Sequence, residues 1–84
     1  MENLLLLLRP ALINKHETLK RFIITAICGM EIVIKIKDDM QYGVLDSACF
    51  NANTISVKID GKIQKYIFNG IDEIIIFNHG VDNV

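Results

Sequence analysis

The chain has no tryptophan, a single proline, two cysteines and two histidines among its 84 residues. Cys28 and Cys49 form no CxxC pair, and His16 and His79 lie far apart in the chain, so neither a zinc-ligand spacing nor a disulfide framework is present. Both cysteines read as small buried apolar residues. Ser47 and Ser56 are the only serines and neither stands in a nucleophile elbow. There is no glycine-rich phosphate loop. Asp38-Asp39 and Asp72-Glu73 are paired carboxylates in turn-like settings, best explained as solvated turn residues. The expectation is a protein that is not an enzyme, with no catalytic residue, no metal and no cofactor. Long apolar runs are also lacking. Leu4–Leu8 is far too short to span a bilayer and follows an acidic Glu2, not a basic segment. A cytoplasmic protein with no membrane partner is expected.

What is present is branched and apolar. Apolar residues make up 51% and charged residues 23%, an ordinary globular balance. Isoleucine and valine dominate, which favours a pleated, half-buried surface and a β-rich class. A chain of this length buries only about 60–65% of its unfolded surface, so association with other copies is a natural source of stability. The net charge of −1 is uneven: residues 1–37 hold six Lys/Arg against three Asp/Glu, and residues 38–84 hold three against seven. A polyanion meets a basic first half and an acidic second half.

Periodicity divides the chain. Residues 1–13 form an apolar arm in which Leu4–Leu8 is a strand, a helix start or an arm docking on a neighbour, and Arg9-Pro10 interrupts any helix passing through. Asn14 as N-cap and Glu17 at N3 open a helix over about 15–28. Leu19, Phe22, Ile23, Ala26 and Ile27 supply its apolar face, and Gly29 its left-handed stop. The period then changes to two. Ile32, Ile34 and Ile36 mark a first strand, ended by an Asp38-Asp39 turn. Met40 to Ala48 form a second strand, where Gly43 marks a bulge or bend. After the Asn51–Asn53 loop, Ile55, Val57 and Ile59 form a third. Asp60-Gly61 signals a hairpin into a fourth carrying Ile63, Tyr66 and Phe68. Asn69-Gly70 interrupts before a fifth over 71–77. The expected fold is mainly β: an N-terminal helix and a five-stranded, strongly bent antiparallel SH3-like barrel over residues 14–78, with a polar tail at 79–84. Ile74–Phe77 is apolar on both faces, and an apolar last strand needs a cover; a neighbouring subunit is the economical one.

These residues resemble the Sm/LSm family, which includes bacterial Hfq. The resemblance covers about Leu19 to Phe77. It rests on Gly29–Asp38 (GMEIVIKIKD), Gly43-Val44-Leu45, Asn53 ten residues after Gly43, and Tyr66–Ile74 (YIFNGIDEI). Gly43 is similar to the family's strand-two glycine and Asn53 to its base-binding asparagine. The departures lie in the pocket: Cys49 stands where the family has an acid, Ala52 where it has methionine, Asn51 at the stacking position and Asn69 at the basic position. Phe50 becomes the stacker if the loop slips by one.

The resemblance implies the Sm fold and a closed homo-oligomeric ring of roughly five to eight subunits. The ring is joined by pairing the fifth strand of one copy with the fourth of the next, through Tyr66, Phe68, Ile74, Ile75, Ile76 and Phe77. It also implies single-stranded RNA, uridine- or adenine-rich and not DNA, held near the pore by Asn53, Asn51, Phe50, Asn69 and Gly70. Lys20 and Arg21 on the helix supply a basic rim, which the bland alternative reads as a solvated helix face. A second reading is a ring whose degenerate RNA pocket leaves a protein-interaction or assembly module.

Overall fold

A computed structural model describes residues 4–78; the expected tail at 79–84, including His79, lies outside them. The chain is mainly β, with six antiparallel strands in one sheet: β1 (Leu4–Leu8), β2 (Glu31–Ile36), β3 (Asp39–Cys49), β4 (Thr54–Ile59), β5 (Lys62–Ile67) and β6 (Glu73–Asn78). Two helices, α1 (Pro10–Ile13) and α2 (Glu17–Ile27), separate β1 from β2. The strand order is β1-β6-β2-β3-β4-β5.

Pro10 does not merely interrupt a helix; it begins one. It occupies the first turn of α1, where its missing N–H costs nothing. Asn14 therefore caps the C-terminus of α1, and its N–H donates to the Pro10 carbonyl. The expected N-cap role of Asn14 on the main helix is overturned: α2 starts at Glu17, and His16 before it makes no side-chain cap. The stop at Gly29 holds, with φ of 90°.

The buried stripe of α2 is Lys20, Ile24 and Ile27, with Ile23 half-buried. Leu19 (44% exposed) and Phe22 (71%) face outward, so the helix is rotated from the orientation that apolar residues alone suggest. A lysine with three acceptors in reach takes the inward position instead.

The first hairpin turns at Lys37-Asp38, one residue before the expected Asp38-Asp39, with Lys37 left-handed at φ 57°. Asp72 secures it by accepting the Lys37 backbone N–H (2.6 Å). The β4–β5 hairpin is as expected. Asp60 and Gly61 both have positive φ, 52° and 81°, the requirement of a type I′ turn.

β3 is long because it serves two neighbours: residues 39–44 pair with β2 and residues 44–49 with β4, so Val44 is shared. The register shift in β3 falls between Leu45 and Ser47, not at Gly43. Gly43 has a different reason to be glycine. A Cβ there would lie 2.6 Å from the Lys58 carbonyl oxygen.

β6 is not an edge. β2 flanks one side, and the leucine strand β1 flanks the other, in register from Leu4↔Asn78 to Leu8↔Ile74. The cover expected from a neighbour is thus supplied by the chain itself, and the open edges are β1 and β5. Alternation sorts the two apolar faces of β6. Ile74 and Ile76 join Ile32, Ile34, Leu45, Ile55, Val57, Phe68 and Ile71 in the core, closed over by Leu8, Ile13, Ile24 and Ile27. Ile75 lies on the outer face in a cross-strand row with Leu7, Val33 and Tyr42.

Candidate nucleic-acid interface

Three separate segments converge on Lys20. The loop before β4 puts Asn53 into the left-handed region (φ 58°), where its backbone N–H donates to the Phe50 carbonyl (3.2 Å). Its own carbonyl accepts the Phe68 N–H (2.8 Å), tying this loop to the 3-10 turn Phe68–Gly70. Asn53 therefore has a turn role, which asparagine suits better than most residues, and its side chain remains for other work. Lys20 reaches in from α2, only 4% exposed.

The ammonium of Lys20 donates to Asn53 Oδ1 (2.9 Å) and Asn14 Oδ1 (3.3 Å) and forms an ion pair with Glu17 Oε1 (3.4 Å). It also lies 5.5 Å from the centre of the Phe68 ring, within cation–π range. Asn53 Nδ2 in turn donates to Asn69 Oδ1 (3.1 Å). Beside this chain of contacts Arg21 stacks over Phe50, guanidinium carbon to ring centre 4.7 Å, while its Nε meets Glu17 (3.3 Å). A narrow cleft of about 10 Å³, room for about one water, lies here, lined by Lys20, Phe50, Asn53, Thr54 and Phe68 among others.

Five of the seven sequence-derived RNA candidates therefore meet: Lys20, Arg21, Phe50, Asn53 and Asn69. The bland expectation for Lys20, a solvated helix face, is overturned because its ammonium is sequestered among three acceptors. Asn51 is exposed in the turn before Asn53, and Gly70 is exposed in the 3-10 turn without a positive φ. Neither is joined to the cluster by a described hydrogen bond. Asn14 is the contributor that sequence reasoning missed. The sequence pattern assigns it to a helix cap; as the C-cap residue of the short α1 it turns its side chain toward Lys20.

The residues expected at a subunit joint fall in three settings. Phe68, Ile74 and Ile76 are 2% exposed or less and belong to the core of the chain itself. Ile75 and Phe77 are half-buried on the outer sheet face, where Phe77 packs 6.3 Å from the Tyr42 ring. Tyr66 is half-buried on the edge strand β5, and burial followed by the nearby Asp39 charge raises its phenol above its ordinary range. Among the residues whose exposure is described, Leu6 and Leu7 of β1 and Ile63 and Ile67 of β5 are exposed apolar residues on the open edges.

Cys28 and Cys49 are both exposed and not disulfide-bonded, which corrects the expectation of buried thiols: Cys28 falls at the end of α2, and Cys49 at the end of β3. Among the described residues, no three His, Cys, Asp or Glu side chains gather to hold a metal ion, and no helix is long and apolar enough to cross a membrane. Comparison of the chain with protein-family models, with curated proteins and with solved structures finds no match.

Proposed function

We propose that this chain is an Sm-like, ring-forming protein that binds single-stranded RNA and acts as a chaperone or scaffold in RNA metabolism. The observation that carries the reading is the convergence of Lys20, Asn53 and Asn69 in one hydrogen-bonded chain, beside Arg21 stacked on Phe50. Such a site offers what an unpaired base needs: a flat cationic and aromatic surface, and amides for its edge. Stacking contributes roughly 1–3 kcal/mol per base, so one site alone is weak. Repetition around a ring raises the effective concentration of every further base.

Two features support a small strongly bent barrel. β6 returns beside β2, so that the first and last strands after α2 are neighbours. β3 pairs with β2 up to Val44 and with β4 from Val44 on, as a long strand shared between the two halves of a small, partly open barrel does. The open edges β1 and β5 are unlike one another, and a head-to-tail contact between unlike edges closes into a ring when its rotation allows. The joint of this ring is β5 of one copy against β1 of the next.

The test is a fluorescence-anisotropy titration with short oligo(U) and oligo(A) at low salt, on protein whose absolute mass is measured by light scattering. Saturable binding by an oligomer supports the reading; a monomer at micromolar concentration, or no saturable binding, rejects it. A second reading, a protein-interaction module, is favoured by Leu12 (68% exposed), Leu19 and Phe22 (71%) on the helical surface. Recovery of a protein partner after nuclease treatment supports that alternative, and recovery of RNA alone counts against it.

A further inference from the structure

We infer that β1 is an exchanged arm: in the ring, Leu4–Leu8 of each copy seats on β6 of the adjacent copy, and each core is closed by a leucine from its neighbour. The inference rests on the ring of the reading above and adds to it which chain supplies the strand at the joint. β1 is held by β6 alone, in a ladder from Leu4↔Asn78 to Leu8↔Ile74. Leu8 is buried, while Leu6 and Leu7 are half exposed. At the junction with α1, Arg9 meets Glu73 at 3.7 Å through a side chain 59% exposed, a contact that contributes little. A second copy offers the same β6 edge, so exchange replaces each of these contacts by its equal. Five identical uncharged leucines also fit that edge in any register that keeps their alternation.

α1 is anchored without β1. Pro10 and Ile13 are buried, the helix packs against the 3-10 turn Phe68–Gly70, and Asn14 Oδ1 accepts from Lys20. The arm therefore pivots on Arg9. This residue is extended (φ −110°, ψ 105°), the conformation favoured before proline, so the arm leaves α1 as a straight strand and not through a turn. The 3-10 turn under α1 directly follows β5. The pivot thus stands near the end of β5 in its own chain, and β5 is the strand that faces the adjacent copy. Across the joint the strand order is β6, β1, then β5 of the other copy. Exchange keeps this order and changes only the owner of the middle strand. The arm then lies along β5 of its own chain and pairs with β6 of the adjacent one. The ladder between copies becomes the one that carries Leu8 into the core. An isolated chain has no neighbour and seats the arm on itself.

The experiment separates own from exchanged seats with single cysteines. Cys28→Ser and Cys49→Ser, at two exposed positions, remove the native thiols. Leu7→Cys is then made in one protein and Ile75→Cys in another; the two positions are directly opposed in the ladder, within disulfide reach. The proteins are mixed in urea, refolded together and oxidised. Exchange yields a disulfide-linked pair holding one chain of each kind, up to about half of the chains, the share that random mixing around a closed ring allows. Each protein alone stays at the mass of a single chain on a non-reducing gel. Leu7→Cys with Ile75→Cys in the same chain yields a series of covalent multimers. A mixture without the linked pair, beside a two-cysteine chain that closes only on itself, overturns the exchange, and so does the absence of either kind of disulfide. The native sequence gives a second reading: in a refolded mixture of 13C-labelled and unlabelled copies, NOEs from the Leu8 methyls to Ile74 appear between copies. NOEs confined within copies overturn the exchange. Light scattering on the same samples keeps the two failures apart. An oligomer whose arms stay on their own chains loses the exchange and keeps the ring, whereas a monomer loses both.

Discussion

Replacing Gly43 with alanine tests how closely β3 and β4 approach. A Cβ built on Gly43 meets the Lys58 carbonyl oxygen at 2.6 Å, Val57 Cγ1 at 2.8 Å and Ile59 Cγ1 at 2.9 Å. The side chains can adjust, but the nearest atom belongs to the backbone, and Lys58 is paired with Val44 in the same ladder. Inserting a methyl group into packed structure costs about 1–3 kcal/mol, and a backbone obstacle places this case near the upper end. Because φ at Gly43 is not left-handed, alanine recovers about 0.4–1 kcal/mol through the stiffer unfolded chain. The net loss is about 2 kcal/mol, a large share of the roughly 5–15 kcal/mol that holds a domain together. For a chain of this size that lowers Tm by about 8–16 °C. Urea denaturation followed by circular dichroism measures it, with a lower midpoint and an unchanged slope. A Tm within about 2 °C of wild type refutes the close approach of the two strands. Gly29→Ala is the control: a Cβ there has nothing within 4 Å, but φ is 90°. Its loss, about 1–2 kcal/mol, comes from conformation and not from collision.

Four other outcomes are expected. Leu8→Ala, at a residue 8% exposed on β1, lowers stability by about 2 kcal/mol, the low end for a buried leucine; a loss below about 0.5 kcal/mol in urea denaturation means that β1 is not docked on β6. Ile63→Lys with Ile67→Lys, both exposed on β5, leaves circular dichroism unchanged and reduces the mass seen by light scattering, since edge lysines oppose strand pairing; an unchanged mass removes β5 from the joint. Arg21→Ala and Phe50→Ala each weaken oligo(U) binding by about 1–3 kcal/mol in anisotropy titrations, and full affinity in both denies the stack any part in binding. Although Cys28 is exposed, the slight desolvation it meets, and behind that the Asp46 charge, pushes its thiol above its ordinary value. Less of it is thiolate at pH 8, so iodoacetamide labels it more slowly than a peptide cysteine; Asp46→Asn speeds the reaction, and a rate indifferent to that change shows that Asp46 is not felt.

The readable parts of the sequence were those where local chemistry and tertiary demand agree. Ile32–Ile36 alternates because one face is core, Asp60-Gly61 turns because both residues take positive φ, and Gly29 ends its helix for the same reason. The helix orientation was not legible, because counting apolar residues treats lysine as outward. Lys20 turns inward only because Asn14 and Asn53, 6 and 33 residues away in sequence, bring oxygens to it. The candidate site was accordingly legible in membership but not in wiring. Leu4–Leu8 was ambiguous for a different reason: five identical residues carry no period, so neither helix nor strand is favoured until a partner strand fixes the pairing. That partner, β6, is the last strand of the chain, and no local rule connects the two.

The pairing of Leu4 with Asn78 also brings the beginning and the end of the described chain side by side. A short linker across that gap closes the polypeptide into a circle without moving a strand, and the circle can be reopened at Asp60-Gly61, a surface hairpin. In such a permutant β5 is translated first, and β1 and β6 become neighbours in sequence as well as in space. The β1–β6 docking then becomes a local event, while the β4–β5 pairing, local in the natural order, becomes the most distant one, so the permutation exchanges which strand pairing closes the longest loop.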